Sequence, residues 1–155
     1  MARLAAGDEA PAFTLPDQDD AACSLADYAG QRVVVYFYPK DDTPGCTKEA
    51  TQFSALEAAF AEAGTTVLGI SPDAAASHRR FRERYGLTIR LLSDPGHETM
   101  AAYGAWGEKT MYGRTSLGVI RSTFLVGPDG RVVRSWYGVR ADGHADKVLA
   151  ALGEG

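Results

Sequence analysis

Six consecutive residues, Val33-Val34-Val35-Tyr36-Phe37-Tyr38, are β-branched or aromatic. No charge interrupts them, so a strand built from this run has no face to turn toward water. Such a strand belongs at the centre of a sheet covered on both sides. The following residues supply one cover. Thr43-Pro44 has the form of a cap and a first helical residue. Cys46, Ala50, Phe53, Leu56, Phe60 and Ala63 then recur at helical spacing, which predicts one helix from Thr43 to about Ala63, stopped by Gly64. Thr66-Val67-Leu68-Gly69-Ile70 reads as the next strand. A strand–helix–strand unit of this length implies a parallel pair joined by a right-handed crossover.

The rest of the chain extends that unit. Ala10 to Pro16 reads as a short edge strand between prolines, and Ser24-Leu25-Ala26-Asp27 as a capped helical turn ending near Tyr28. Ser71-Pro72 and Asp94-Pro95 predict helix starts, with helices to about Tyr85 and Tyr103, and Ile89 to Leu92 predicts a strand between them. Gly104 to Gly118 is glycine-rich and reads as a long loop. Val119 to Val126 and Arg131 to Tyr137 flank Gly127-Pro128-Asp129-Gly130 as a hairpin, and a last helix runs from about Gly143 to Leu152. The order is βαβ, an added helix and strand, then ββα. The fold class is α/β: a thioredoxin-like core with a central mixed sheet flanked by helices, an N-terminal extension and an inserted helix-strand. At 155 residues the whole chain, 1–155, reads as a single domain.

Bulk properties remove several classes of function. A formal charge of −4 opposes a nucleic-acid role. No apolar run approaches the roughly 20 residues that span a bilayer, and Met1 to Asp8 lacks the apolar stretch of a secretory leader. The expectation is a cytoplasmic protein that binds neither nucleic acid nor membrane. Two cysteines, Cys23 and Cys46, make no disulfide scaffold, and His78, His97 and His144 are scattered without metal-ligand spacing. Neither a metal nor a cofactor is expected.

The chemistry concentrates at Cys46. A thiol in the first turn of a helix meets amides without helical partners and the positive end of the helix dipole. Both favour thiolate, the reactive form. Cysteine is also among the most buried residue types, and this one lies on an apolar stripe. Of the three cap-and-proline helix starts, only the one leaving the most buried strand carries a thiol at its third position; the other two carry Ala74 and His97 there. Gly45 leaves room for a small ligand to approach the backbone. Thr43 reads either as an N-cap bonded to the Cys46 amide or as a hydroxyl beside the sulfur. Glu49, one turn after Cys46, reads first as a carboxylate favoured by the first helical turn. Arg121 stands in an apolar strand, where a charge is paired or functional, and its guanidinium suits both a thiolate and an oxygen-rich substrate. The basic run from His78 to Arg84 reads as a solvated amphipathic helix with Phe81 and Tyr85 on its core side. Trp106, Met111 and Tyr112 read equally as pocket wall or as loop packing.

With these residues in view, the chain resembles the peroxiredoxins, in the subgroup called bacterioferritin comigratory protein or peroxiredoxin Q. Pro39-x-x-x-Thr43-x-x-Cys46 has the form of that family's active-site motif, and Trp106-Gly107-Glu108-Lys109 narrows the subgroup. The resemblance runs through nearly the whole chain. It implies reduction of hydrogen peroxide and alkyl hydroperoxides by a peroxidatic Cys46. Thr43 and Arg121 would bind peroxide oxygens, Pro39 would shield the pocket from water, Gly45 would offer its amide to the substrate, and Glu49 would support the hydrogen-bond network. It also implies thioredoxin or another thiol as reductant and a monomer. Thr51 stands where many members carry a resolving cysteine. Either an external thiol resolves the sulfenic acid, or Thr51 is a replacement, or Cys23 resolves; Cys23 also reads as a packing residue. A Cys-x-x-Cys oxidoreductase is excluded locally. A non-catalytic redox sensor and a one-thiol glutathione-linked enzyme are the alternatives.

Overall fold

The computed structural model of the protein describes residues 3–153. Short strands β1 (Thr14–Pro16) and β2 (Ala22–Ser24) pair as an antiparallel ribbon. A 3-10 turn, Leu25–Tyr28, follows, and the Ser24 amide donates to Asp27 as the capping sequence implies. Strand β3 (Arg32–Phe37) leads into helices α1 (Pro44–Ala55) and α2 (Glu57–Glu62). Then come β4 (Thr65–Ser71), α3 (Ala75–Tyr85), β5 (Arg90–Ser93) and α4 (Glu98–Ala102). The chain continues through β6 (Trp106–Met111), β7 (Arg114–Val119), β8 (Ser122–Val126), β9 (Val132–Tyr137) and α5 (His144–Leu152).

The main sheet has the order β5-β4-β3-β8-β9, with β3 at its centre. β3 is parallel to β4 and antiparallel to β8, so the sheet is mixed. Alternate residues of β3 enter two separate cores. Val34, Tyr36 and Tyr38 pack with Phe53, Phe60, Phe81 and Val148 from the helices. Val33, Val35 and Phe37 pack on the other face with Phe13, Cys23, Met100, Tyr103 and Phe124. Val33 to Tyr38 are each no more than 1% exposed. Complete burial stabilises by about 1.5–3 kcal/mol per large apolar side chain, so this run anchors the fold.

Several elements depart from the sequence expectation. The long helix is two helices, broken at Leu56 (φ −98°, ψ 2°). The apolar stripe continues across the break, which is why its periodicity does not register it. The helix expected at Ser71-Pro72 starts at Ala75 instead. Ser71 stays in β4, and its hydroxyl donates to Asp73 and accepts from the Asp73 amide, holding a turn that delays the helix. The start at Asp94-Pro95 is likewise delayed to Glu98, because the Asp94 carboxylate accepts the Met100 amide and His97 takes φ 60°. Only Thr43-Pro44 therefore opens its helix directly, and Ala74 and His97 are caps rather than third helical residues. The expected loop from Gly104 to Gly118 is largely the hairpin β6–β7. Its tip, Tyr112-Gly113, has both φ values positive, 53° and 76°, as a two-residue turn matched to strand twist requires. Finally, the strand expected from Val119 is interrupted, and Arg121 lies in the gap between β7 and β8.

Candidate active site

The register of the central sheet builds the site. Phe37, the last residue of β3, pairs with Ser122, the first of the antiparallel β8. Residues just after Phe37 and just before Ser122 therefore emerge at one end of the sheet. That end carries the Pro39–Thr43 turn, the start of α1 and Arg121. The first intrahelical bond of α1 runs from the Thr47 amide to the Thr43 carbonyl at 2.8 Å. The Gly45 and Cys46 amides precede it, at the positive end of the helix.

Cys46 is 2% exposed. The Arg121 Nη2 donates to Cys46 Sγ at 3.3 Å, and Nη1 donates to Glu49 Oε1 at 2.5 Å. One guanidinium thus faces a sulfur and a carboxylate at once, using the fork that lysine lacks. Glu49 is fully buried, so it is not a solvated first-turn carboxylate. Burial pushes its acidity constant up to about 7, while Arg121 pulls it back down. Its second oxygen, Oε2, and the Tyr36 hydroxyl are buried without partners among the described residues. An unmatched oxygen in a dry site disfavours the charged carboxylate further. Burial, then the Glu49 charge, holds Tyr36 well above its usual range. Burial alone would lower Arg121, but Glu49 and the Cys46 sulfur raise it overall.

The other expected residues fall in varied places. The Thr43 hydroxyl donates to the Lys40 carbonyl at 2.8 Å and makes no cap bond to Cys46; its oxygen lone pairs stay available. Pro39 is half-buried and lines a shallow depression with Ile120, Arg121 and Val139. It also borders a second depression with Pro72, His97 and Trp106. Trp106 therefore both walls and packs, stacking on His97 at 3.8 Å; Tyr112 is 99% exposed at the hairpin tip, and the Met111 side chain lies outside the described residues. The room at Gly45 is taken by Arg121: a Cβ there would sit 3.2 Å from Nη2. Cys23 is fully buried in the core on the opposite face of the sheet from Cys46, 3.8 Å from the Tyr28 hydroxyl. A disulfide needs Cα atoms within about 7 Å, and here the sheet lies between the two thiols. Tyr36, stacked on Phe53 at 4.6 Å beneath Glu49, was not singled out from sequence, because it reads as one more core aromatic.

A thiol at a helix start, matched to a half-buried guanidinium at the end of a thioredoxin-like sheet, fits a thiol peroxidase. Known proteins agree. The AhpC/TSA family profile matches residues 6–135. A putative peroxiredoxin of Mycobacterium tuberculosis is 56% identical over 150 residues, covering 97% of this chain and 96% of the relative. Peroxiredoxin Bcp of Escherichia coli is 44% identical, covering 99% of each chain. A structure of Xanthomonas campestris bacterioferritin comigratory protein, described for its alkyl peroxide reduction activity, superposes with a TM-score of 0.90 at 42% identity, over 96% of this chain and 98% of that one. The chain belongs to the AhpC/TSA family, and its relatives there are peroxiredoxins of the Bcp type.

Proposed function

We propose that Cys46 is the peroxidatic nucleophile of a hydroperoxide reductase acting on hydrogen peroxide and alkyl hydroperoxides. The observation that carries this reading is the Arg121 fork, 3.3 Å from Cys46 Sγ and 2.5 Å from Glu49. The thiolate attacks the terminal peroxide oxygen in line with the O–O bond. An S–O bond forms, the O–O bond breaks, and the leaving hydroxide or alkoxide takes a proton from solvent. Arg121 and the Gly45 and Cys46 amides stabilise the charge as it passes to the leaving oxygen, acting as an oxyanion hole does, while the Thr43 hydroxyl, whose proton goes to the Lys40 carbonyl, accepts from the peroxide O–H. The near-complete burial of Cys46 admits only a reagent that is small at its reacting end.

The product is a cysteine sulfenic acid, which a thiol condenses with to form a disulfide. Thr51 stands on α1 where an internal resolving thiol would lie and Cys23 sits beyond the sheet, so an external thiol such as thioredoxin completes the cycle. The chain then acts as a single cytoplasmic domain and a monomer. Both cores share β3, which supports one domain; no helix among the described residues is long and apolar enough to cross a membrane. Intact mass after one equivalent of peroxide tests the reading. A gain of one oxygen on Cys46 is expected, with peroxide consumption abolished in Cys46→Ser. Turnover retained in that variant would remove the mechanism.

A further inference from the structure

The Pro39–Thr43 turn is held from below by α3 through a buried polar cluster that the chemistry above does not use. The Asp41 side chain is 3% exposed and that of His78 is 0% exposed. Asp41 Oδ1 accepts from the Tyr38 hydroxyl at 2.6 Å. Oδ2 accepts from the Ser77 hydroxyl at 2.8 Å and from His78 Nδ1 at 2.7 Å. The Asp41 amide donates to Asp73 at 2.7 Å. On its far side, His78 Nε2 faces the Leu92 carbonyl at 2.9 Å. Through its two nitrogens the ring bridges the Asp41 carboxyl group and the Leu92 carbonyl, tying the turn to α3 and to β5 at once. A second strap lies at the surface, where Asp42, at φ 59°, accepts from Tyr85 and Arg84 at 2.5 and 2.7 Å.

A buried polar pair is a poor way to gain stability, since desolvation offsets most of its attraction. Packed apolar residues would hold α3 against the sheet equally well. What the pair adds is direction: three donors fix one carboxylate, and that carboxylate fixes the backbone two residues before Thr43 and five before Cys46. We propose that Asp41 and His78 are positioning residues for peroxide reduction, setting where the turn places Thr43 and the first helical residues against Arg121. The proposal rests on the reading of Cys46 as nucleophile.

The test follows Cys46 oxidation by hydrogen peroxide, by quenched time course and peptide mass, in Asp41→Asn, His78→Gln and the double variant, alongside thermal melts. Displacing reacting groups by an ångström costs about 10²-fold, so each single variant is expected to slow oxidation by about 10- to 100-fold while folded at the assay temperature. Because both remove one tether, the double variant is expected to match the slower single instead of multiplying the two losses. Lowered melting temperatures with oxidation rates unchanged within about twofold would overturn the proposal, since a purely structural pillar moves only the melt. Should either substitution prevent folding, Tyr38→Phe and Ser77→Ala each remove one hydroxyl from the same carboxylate. They are expected to slow oxidation by about three- to tenfold, and unchanged rates there would overturn it equally. Wild-type Cys46 inert to peroxide would instead remove the reading beneath, and this proposal with it.

Discussion

Replacing Arg121 with methionine separates catalysis from stability at this site. The substitution keeps the side chain's apolar stem and deletes the guanidinium. At 3.3 Å from a thiolate, a unit positive charge is worth about 5 kcal/mol at an effective dielectric constant of 20. Most of that attraction is already present before reaction and does not accelerate it. Only the part that grows as charge moves from sulfur to the leaving oxygen lowers the barrier. Removal of one oxyanion-hole donor costs about 10²–10³ in rate, or about 2.7–4 kcal/mol, and a similar loss is expected in the second-order constant for Cys46 oxidation.

Stability should respond less. Arg121→Met leaves Glu49 buried without its partner, and an orphaned buried charge ordinarily costs about 3–5 kcal/mol. Here burial already pushes Glu49 up to about 7, so without the guanidinium it takes a proton and stays neutral. The remaining loss is that of a hydrogen bond to a charged group, about 1.5–3 kcal/mol. Stopped-flow mixing with hydrogen peroxide gives the rate, and urea unfolding of the reduced protein gives the stability. An oxidation constant within about threefold of wild type would refute the assignment and make Arg121 a partner for Glu49 only.

Three further outcomes are expected. Gly45→Ala places a methyl 3.2 Å from Arg121 Nη2, so the guanidinium must shift; Cys46 oxidation is expected to slow by about tenfold with an unchanged melt, and an unaltered rate would show that Arg121 relaxes freely. Glu49 is favoured in its protonated form by folding, so its contribution is fully present below its ordinary value of 4.5 and is lost as pH rises through about 7, up to about 3 kcal/mol. Glu49→Gln should remove that decline in urea titrations between pH 5 and 8, and an identical slope in both proteins would contradict the burial argument. Cys23→Ser puts a hydroxyl in an apolar core and is expected to cost about 1–3 kcal/mol while sparing turnover with an external thiol. Loss of turnover would make Cys23 the resolving thiol.

The fold was readable where periodicity and burial agree. The Val33–Tyr38 run demanded cover on both faces, and it enters both cores. The Gly127–Gly130 turn fixed the β8–β9 hairpin, and the last helix, expected from about Gly143 to Leu152, spans His144–Leu152. Glycines hid the β6–β7 hairpin, although Tyr112-Gly113 between alternating residues carried the signal of a two-residue turn. Proline after a cap residue misplaced two helix starts, because Ser71 and Asp94 spend their side chains on local turns. Arg121 stood out in sequence as a charge among apolar residues. Its distance to Cys46 did not, since that depends on the Phe37–Ser122 register of two strands far apart in the chain.

The site residues hardest to read were polar ones on buried stripes. Glu49 lies three positions after Cys46, inside the spacing of Cys46, Ala50 and Phe53, and all four are buried. His78 lies three positions from both Ala75 and Phe81, and all three are buried. Reading every charged residue of a helix as solvated ignores this spacing. A charge on the core side must find a partner, because leaving it alone in a low dielectric costs far more than a pair does. Their partners, Arg121 and Asp41, come from loops at the same end of the sheet, one before β8 and one after β3. Loops have no period, so spacing points only to the helical half of each pair. A polar residue at core spacing in the two helices that follow β3 and β4 therefore marks the end of the sheet where an irregular segment is pinned, and here that segment carries the nucleophile.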